Sequence, residues 1–383
     1  MKVMILGNYS RNLVVFRGAV IRELVRRGHE VLAVGPEQDA WTVDQLTLMG
    51  ARFECVPMAR SSLNPWRDFV YMVRIVLLAR RYPAQAILTY THKPNTFGIL
   101  AASLLRPRPA IVQLIEGLGY AFINIEGFRK RLANHLVKTL YRLSFKLSSK
   151  VFFLNEDDLG MFQEKGLLAR GLPVEIIDGI GVDLLRFRPS LIPAASFTFL
   201  MIARLLRTKG VAEFCDAAQQ VRHQYPEVLF VLVGAEDLSR DGFPCKELQR
   251  YIDAGTVQWI RESNEVECYY NACSAYVLPS YREGLPVTIM EAMASGRPVI
   301  TTDVPGCRTT VTDGLDGLIV PSKNVDALAK AMIRLLQSPV LVQELGTAAR
   351  RTAVRRFDTK VLSARQADSL EHYATNRGRL LLQ

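Results

Sequence analysis

The segment Ser280–Gly296, SYREGLPVTIMEAMASG, holds two glutamates, Glu283 and Glu291, in a setting suited to a phosphorylated ligand. An apolar run, Ala275–Leu278, precedes it. Pro286 suits the first turn of a helix, and Gly296 suits the position just past its end. Glu283 then falls in the loop. Glu291 lies about 7 Å along the helix, at ~1.5 Å per residue. A nucleotide diphosphate fits this layout. Its phosphates can rest on the N–H groups of Gly284, Leu285 and Val287 around Pro286, at the positive end of the helix. Its ribose can lie one turn further on, where Glu291 accepts the hydroxyls, while Glu283 faces the group attached to the diphosphate. Two glutamates at this spacing are ordinary surface residues when isolated; the preceding strand, the Gly-Leu-Pro turn and the small residues around them set this pair apart.

The elements that must position these residues form two blocks. In the first, the short apolar runs Val3–Leu6, Val31–Val34, Phe53–Val56, Ala86–Leu88, Ile111–Leu114, Val151–Leu154 and Val174–Ile177 alternate with stretches such as Phe16–Arg27 and Trp66–Arg81, apolar at helical spacing. Phe187–Ser196, with two prolines and no helical period, reads as a linker. Alternation then restarts with Phe197–Ile202, Leu229–Val233, Val257–Ile260, Ala275–Leu278, Val299–Thr301 and Leu318–Val320. Near-continuous apolar strands alternating with helices predict parallel sheets covered on both faces. The expected architecture is α/β: two Rossmann-like domains facing a cleft, residues 1–186 and 197–357, joined by 187–196. Val325–His372 reads as helical throughout, with 358–383 crossing back to the first domain.

From Ser280–Gly296 through Pro298–Thr301, Gly306 and Asp313–Val320 (DGLDGLIV), the sequence closely resembles the retaining nucleotide-sugar glycosyltransferases of family GT4, which have the GT-B fold. Ile202–Gly210 (IARLLRTKG) is similar to that family's strand-Arg-x4-Lys-Gly segment, and Gly179–Phe187 (GIGVDLLRF) to its interdomain loop. Phe16–Arg17 and Arg27–Val31 resemble its first helix and second strand. Thr89–Gly98, Gly117–Tyr120 and Asn155–Asp158 resemble a branch that adds N-acetylhexosamine-type sugars to polyprenyl-diphosphate-linked intermediates of bacterial surface polysaccharides.

The resemblance implies roles. Arg204 and Lys209 would clamp the donor diphosphate and take up its growing charge as the sugar leaves. Glu291 would hold the ribose and Glu283 the donor sugar, with the base near Trp259–Arg261. The first domain would hold the acceptor: the backbone of Gly7 and Asn8 approaches the reacting centre, and His92, Lys93 and Asn95 follow the strand Ala86–Thr89. Many family members carry a His after the fifth strand; here Glu116 or the amides of Gly117–Gly119 stand in its place. Glu116 is left open as an acceptor-side base, a donor-sugar contact or a loop carboxylate. No Asp-x-Asp pair follows a strand, and Asn155–Asp158 reads as a helix cap. The expected enzyme therefore needs no metal.

Composition bounds the rest. The chain has 383 residues and a net charge of +11, and no apolar run approaches the ~20 residues of a membrane helix. The N-terminus is too short in apolar residues for a secretory signal, so a cytosolic location is expected. The six cysteines form no metal-spaced cluster and read as reduced thiols. Residues 51–150 carry 16 Lys+Arg against 4 Asp+Glu, whereas 191–383 carry 22 against 21. Lys130, Lys138, Arg142, Lys146 and Lys150 fall at multiples of four, interleaved with Leu132, Leu136, Leu140 and Leu143. This basic edge beside an apolar face reads as either a solvated helix face or a membrane-facing surface for anionic lipid on the inner side of the cytoplasmic membrane. No nucleic-acid module accompanies the charge. A UDP-sugar donor and a lipid-linked glycan acceptor are the expected partners. A nucleotide-sugar 2-epimerase and a non-catalytic subunit are the competing readings.

Overall fold

The computed structural model describes residues 1–59, 64–117, 128–193 and 196–376, without the side chains of 128–133. Backbone contacts divide the chain into two compact units, Met1–Ile180 with Lys360 onward, and Gly181–Thr359.

In the first unit seven parallel strands run β1 (Lys2–Leu6), β2 (Glu30–Gly35), β3 (Arg52–Cys55), β4 (Ala86–Tyr90), β5 (Ala110–Ile115), β6 (Lys150–Phe153) and β7 (Val174–Ile176). Their spatial order is β3-β2-β1-β4-β5-β6-β7. Strands such as β4 (AILTY) and β5 (AIVQLI) are buried along their whole length, because helices cover both faces. The helices are α1 (Ser10–Val15), α2 (Gly18–Arg26), α3 (Ala40–Leu48), α4 (Pro65–Arg81), α5 (Ile99–Ser103), α6 (Phe128–Leu147) and α7 (Glu156–Glu164). Right-handed crossovers place α1–α3 on one face and α4–α7 on the other, since the chain reverses direction along the sheet between β3 and β4. Asn64 caps α4 through its side-chain oxygen, with Pro65 in the first turn, and Asn155 caps α7 by accepting from the Asp158 amide at 2.7 Å. The capping reading of Asn155–Asp158 therefore holds.

The second unit has six parallel strands, β8 (Thr198–Ile202), β9 (Leu229–Val233), β10 (Gln258–Ile260), β11 (Ala275–Leu278), β12 (Val299–Thr302) and β13 (Gly317–Val320), in the order β10-β9-β8-β11-β12-β13. Helices α8 (Val211–Gln224), α9 (Cys245–Asp253), α10 (Val266–Ala272), α11 (Val287–Ala294), α12 (Cys307–Thr310), α13 (Val325–Leu336) and α14 (Pro339–Arg356) complete it. In both sheets the strand order reverses beside the first strand. That leaves a crevice at the carboxyl ends of β1/β4 and of β8/β11, where ligands of such sheets bind.

All thirteen expected strands are present, shifted by a residue or two at their ends. The carboxy-terminal stretch is not one helical run: it breaks before Pro339 and again after Arg356, giving α13, α14 and α15 (Thr359–Thr375). Helix α15 returns to the first unit. Arg27 bonds Asp368 at 2.6 Å and Glu371 at 2.8 Å, and His29 meets Glu371 at 2.6 Å.

Candidate functional site

In the second unit the loops after β8 and β11 are locked together. Gly210 takes φ +77°, and a Cβ there would lie 2.1 Å from the carbonyl oxygen of Pro279, so only glycine allows the approach. The Tyr281 amide donates to the Thr208 carbonyl at 2.8 Å. This crossing brings Lys209 to Glu283: Nζ lies 2.5 Å from Oε1, and the Ser280 hydroxyl donates to the same oxygen at 2.6 Å. The Glu283 backbone is seated from the other side by Gly306 (φ +81°), where a Cβ would lie 2.6 Å from the Glu283 carbonyl oxygen.

Helix α11 starts at Val287, with Pro286 as its N-cap and Gly296 in the left-handed region just past its end. No acceptor takes the amides of Leu285, Val287 or Thr288 among the described residues. They are the orphan donors of a helix start, next to a lysine and with the helix dipole behind them. Glu291 is largely buried, and burial pushes its carboxyl up to about 7 although the Tyr270 hydroxyl bonds Oε2 at 2.9 Å. Its Oε1 has no protein partner among the described residues.

A raised folded-state value means that Glu291 favours folding when protonated. This contribution is full below the unfolded value of about 4.3 and is lost as pH rises through about 7. Glu291→Gln should therefore be more stable relative to wild type at pH 8 than at pH 5, by on the order of 3 kcal/mol. Paired thermal melts check this, and a pH-independent difference would refute it.

Arg204 and Arg261 stand apart from this cluster. Arg204, at the end of β8, is exposed and bonds Asp237 at 2.8 Å, with no bond to Lys209 or Glu283. Arg261 follows β10 with its guanidinium 5.0 Å over the Trp259 ring, whose Nε1 donates to the Gly234 carbonyl at 3.0 Å. Ser280, Asp237 and Tyr270 were not singled out in the sequence. Only Ser280, a polar residue directly after a strand in the motif, carried a signal.

The first unit builds a second polar cluster at the carboxyl ends of β1, β4 and β5. Gly7 packs so closely that a Cβ would lie 2.4 Å from the Tyr90 hydroxyl, and half-buried Asn8 follows it. Arg17, fully buried, stacks 4.1 Å over the Tyr90 ring and pairs with Glu116. Glu116 is thus fixed by a cation from the start of α2. The lone Arg17 in an otherwise apolar stretch was the available signal. His92 follows Thr91, whose φ of +66° is a strained conformation for a β-branched residue, and its Nδ1 meets the Tyr141 hydroxyl at 2.6 Å.

Two acceptor-side expectations need correction. Lys93 turns away and pairs with Asp68 of α4, both nearly buried, so it fastens that helix. Asn95 is 1% exposed, and its Nδ2 donates to the Leu114 carbonyl at 2.7 Å, a clip between strand ends. The basic stripe is corrected too. Helix α6 ends at Leu147, and Lys150 lies on β6, paired with Glu175. Arg142 bonds the carbonyls of Lys165 and Gly166, whereas Lys138 is half-buried and Lys146 exposed. The side chain of Lys130 and the residues Leu118 and Gly119 lie outside the described residues.

Residues 185–352 match the family described as glycosyl transferases group 1. The chain is 30% identical over 381 residues to the N,N'-diacetylbacillosaminyl-diphospho-undecaprenol alpha-1,3-N-acetylgalactosaminyltransferase of Campylobacter jejuni, covering 95% of this chain and 97% of that one. It is 24% identical over 304 residues to the UDP-Gal:alpha-D-GlcNAc-diphosphoundecaprenol alpha-1,3-galactosyltransferase of Escherichia coli, 75% of each chain. Anabaena HepE in complex with UDP has a similar fold, with a TM-score of 0.78 at 20% identity over 97% of this chain and all of that one.

Proposed function

Because the chain belongs to the group 1 glycosyl transferases, we propose that it moves a hexosamine-type sugar from a UDP-sugar to a glycan carried on polyprenyl diphosphate, with retention and without a metal ion. The observation that carries this reading is the Lys209–Glu283 pair set against the acceptor-free amides at the start of α11. A diphosphate there meets a lysine and a row of N–H donors, which supply positive potential that a metal would otherwise provide. Glu291 then takes the ribose through Oε1, and Glu283 faces the donor sugar. Arg204 and Arg261 serve the outer end of the nucleotide once Arg204 leaves Asp237.

The lipid acceptor is supported by the two relatives, whose descriptions both name a diphosphoundecaprenol-linked sugar. The Campylobacter description favours an N-acetylhexosamine donor, and the UDP complex of HepE favours uridine as the base. The acceptor glycan is assigned to the first unit, where Gly7, Asn8, His92 and Glu116 follow the carboxyl ends of β1, β4 and β5. Glu116 there acts as a sugar contact held in place by Arg17. Among the described residues no helix is long and apolar enough to cross a membrane, so association with the inner membrane face would be peripheral.

Incubation with radiolabelled UDP-GlcNAc or UDP-GalNAc in EDTA, with and without a polyprenyl-diphosphate sugar, tests the reading. Label is expected in the lipid fraction only with acceptor present. Activity that needs added magnesium or manganese would overturn the metal-free mechanism. Conversion of the donor to its C2 epimer without acceptor would overturn the transferase assignment.

A further inference from the structure

The outward face of α4 is unlike that of an ordinary surface helix. Asp68, Tyr71, Ile75 and Ala79 form its buried stripe, packed on the sheet. Trp66, Phe69, Val73 and Leu77 repeat the same three-four-four spacing two residues earlier, and two residues at 3.6 per turn put them on the opposite side. They are 70%, 53%, 41% and 49% exposed, and the Trp66 and Phe69 rings stack at 5.8 Å. A helix at the surface of a soluble domain normally carries polar side chains there.

The charge beside this stripe has one sign. Arg67, Arg74 and Arg81 recur every seven residues along one flank and Arg80 ends the stripe; all four are exposed, and none forms an ion pair among the described residues. The single acid of α4, Asp68, points inward to Lys93. Helix α4 packs beside α5, and α5 beside α6, so the three form one layer over the sheet. Leu104 just past α5 and Leu143 of α6 are also exposed, and α5 and α6 contain no Asp or Glu.

We infer that this helical layer, led by the α4 stripe at its edge, docks on an anionic lipid bilayer. Trp66 sits at the level of the headgroups, where its amphipathic ring is most stable, Phe69 adds apolar surface beside it, and the arginine flank meets lipid phosphates. The attraction of these cations to an anionic surface is screened over ~8 Å at physiological salt, so binding is reversible. The inference rests on the proposed lipid-linked acceptor and names the face that brings the enzyme to it. It moves the docking surface from α6, where the basic residues alone suggested it, to α4.

The test is cosedimentation of the full chain with vesicles of phosphatidylglycerol and phosphatidylcholine, or of phosphatidylcholine alone. Wild type should bind the anionic vesicles and release as salt rises. Trp66→Ser/Phe69→Ser and Arg74→Glu/Arg81→Glu should each lower the partition coefficient at least tenfold. Both variants should keep the wild-type melting temperature and transfer to a short, water-soluble acceptor analogue. Lys138→Glu/Lys146→Glu should have the smaller effect. Wild-type binding by the α4 variants, or loss confined to the α6 variant, would overturn the docking face and leave the transferase reading intact. A wild-type chain that forms a dimer which the Trp66→Ser/Phe69→Ser variant breaks would overturn it too, by giving the stripe to a second copy. Failure of wild type to label any polyprenyl-diphosphate acceptor would instead strike the proposed function.

Discussion

Lys209→Ala is expected to lower turnover by more than about a hundredfold while the chain still folds, with a lowered melting temperature. Removing one donor to a developing negative charge costs ~3 kcal/mol, which alone gives about a hundredfold. Here a second effect of the same sign is added. Glu283 is paired with Lys209 at 2.5 Å, so loss of the lysine leaves a carboxylate uncompensated beside the diphosphate. Arg204→Ala should cost less, because Arg204 is exposed and already partnered by Asp237. A double-mutant cycle separates the two effects. If the pairing matters, Lys209→Ala/Glu283→Gln should bind UDP more tightly than Lys209→Ala does. Turnover of Lys209→Ala within threefold of wild type would remove the lysine from the site.

The second large effect is a split between ligands. At pH 8, where Glu291 is mostly ionised, Glu291→Gln should weaken UDP itself, by about ten- to hundredfold, since a hydrogen bond to a charged group is worth roughly 1.5–3 kcal/mol. Glu283→Gln should spare UDP, or tighten it slightly by releasing Lys209 from its ion pair, and weaken the intact UDP-sugar by a similar factor. The difference follows from position: Glu291 lies within α11, whereas Glu283 lies in the loop before it. Calorimetry with UDP and with UDP-GalNAc decides it. Equal losses for both ligands in both variants would sink the assignment.

The sequence by itself determined what depends on neighbouring residues. The apolar runs fixed thirteen strands, because a parallel strand buried on both faces must be apolar along its length. The Pro286 and Gly296 signals fixed where α11 begins and ends, and with them the loop position of Glu283 and the helical position of Glu291. Asn155 as a cap was legible for the same reason, its partner Asp158 being three residues away.

Tertiary structure alone decided the pairings between residues far apart in the chain. Lys209 meets Glu283 across 74 positions, and Arg17 meets Glu116 across 99, because a reversal of strand order brings separate loops to one end of each sheet. No local pattern specifies which loops these are. Lys93 and Lys150 looked available in sequence and are held by Asp68 and Glu175, acids brought up by other elements. Helix α4 makes the limit plainest. Its two apolar stripes, 66/69/73/77 and 71/75/79, have the same period, and periodicity reports that a face is apolar without saying what covers it. Which stripe became core was settled when the second packed on the sheet, with Asp68 drawn in to Lys93, leaving Trp66 and Phe69 outside.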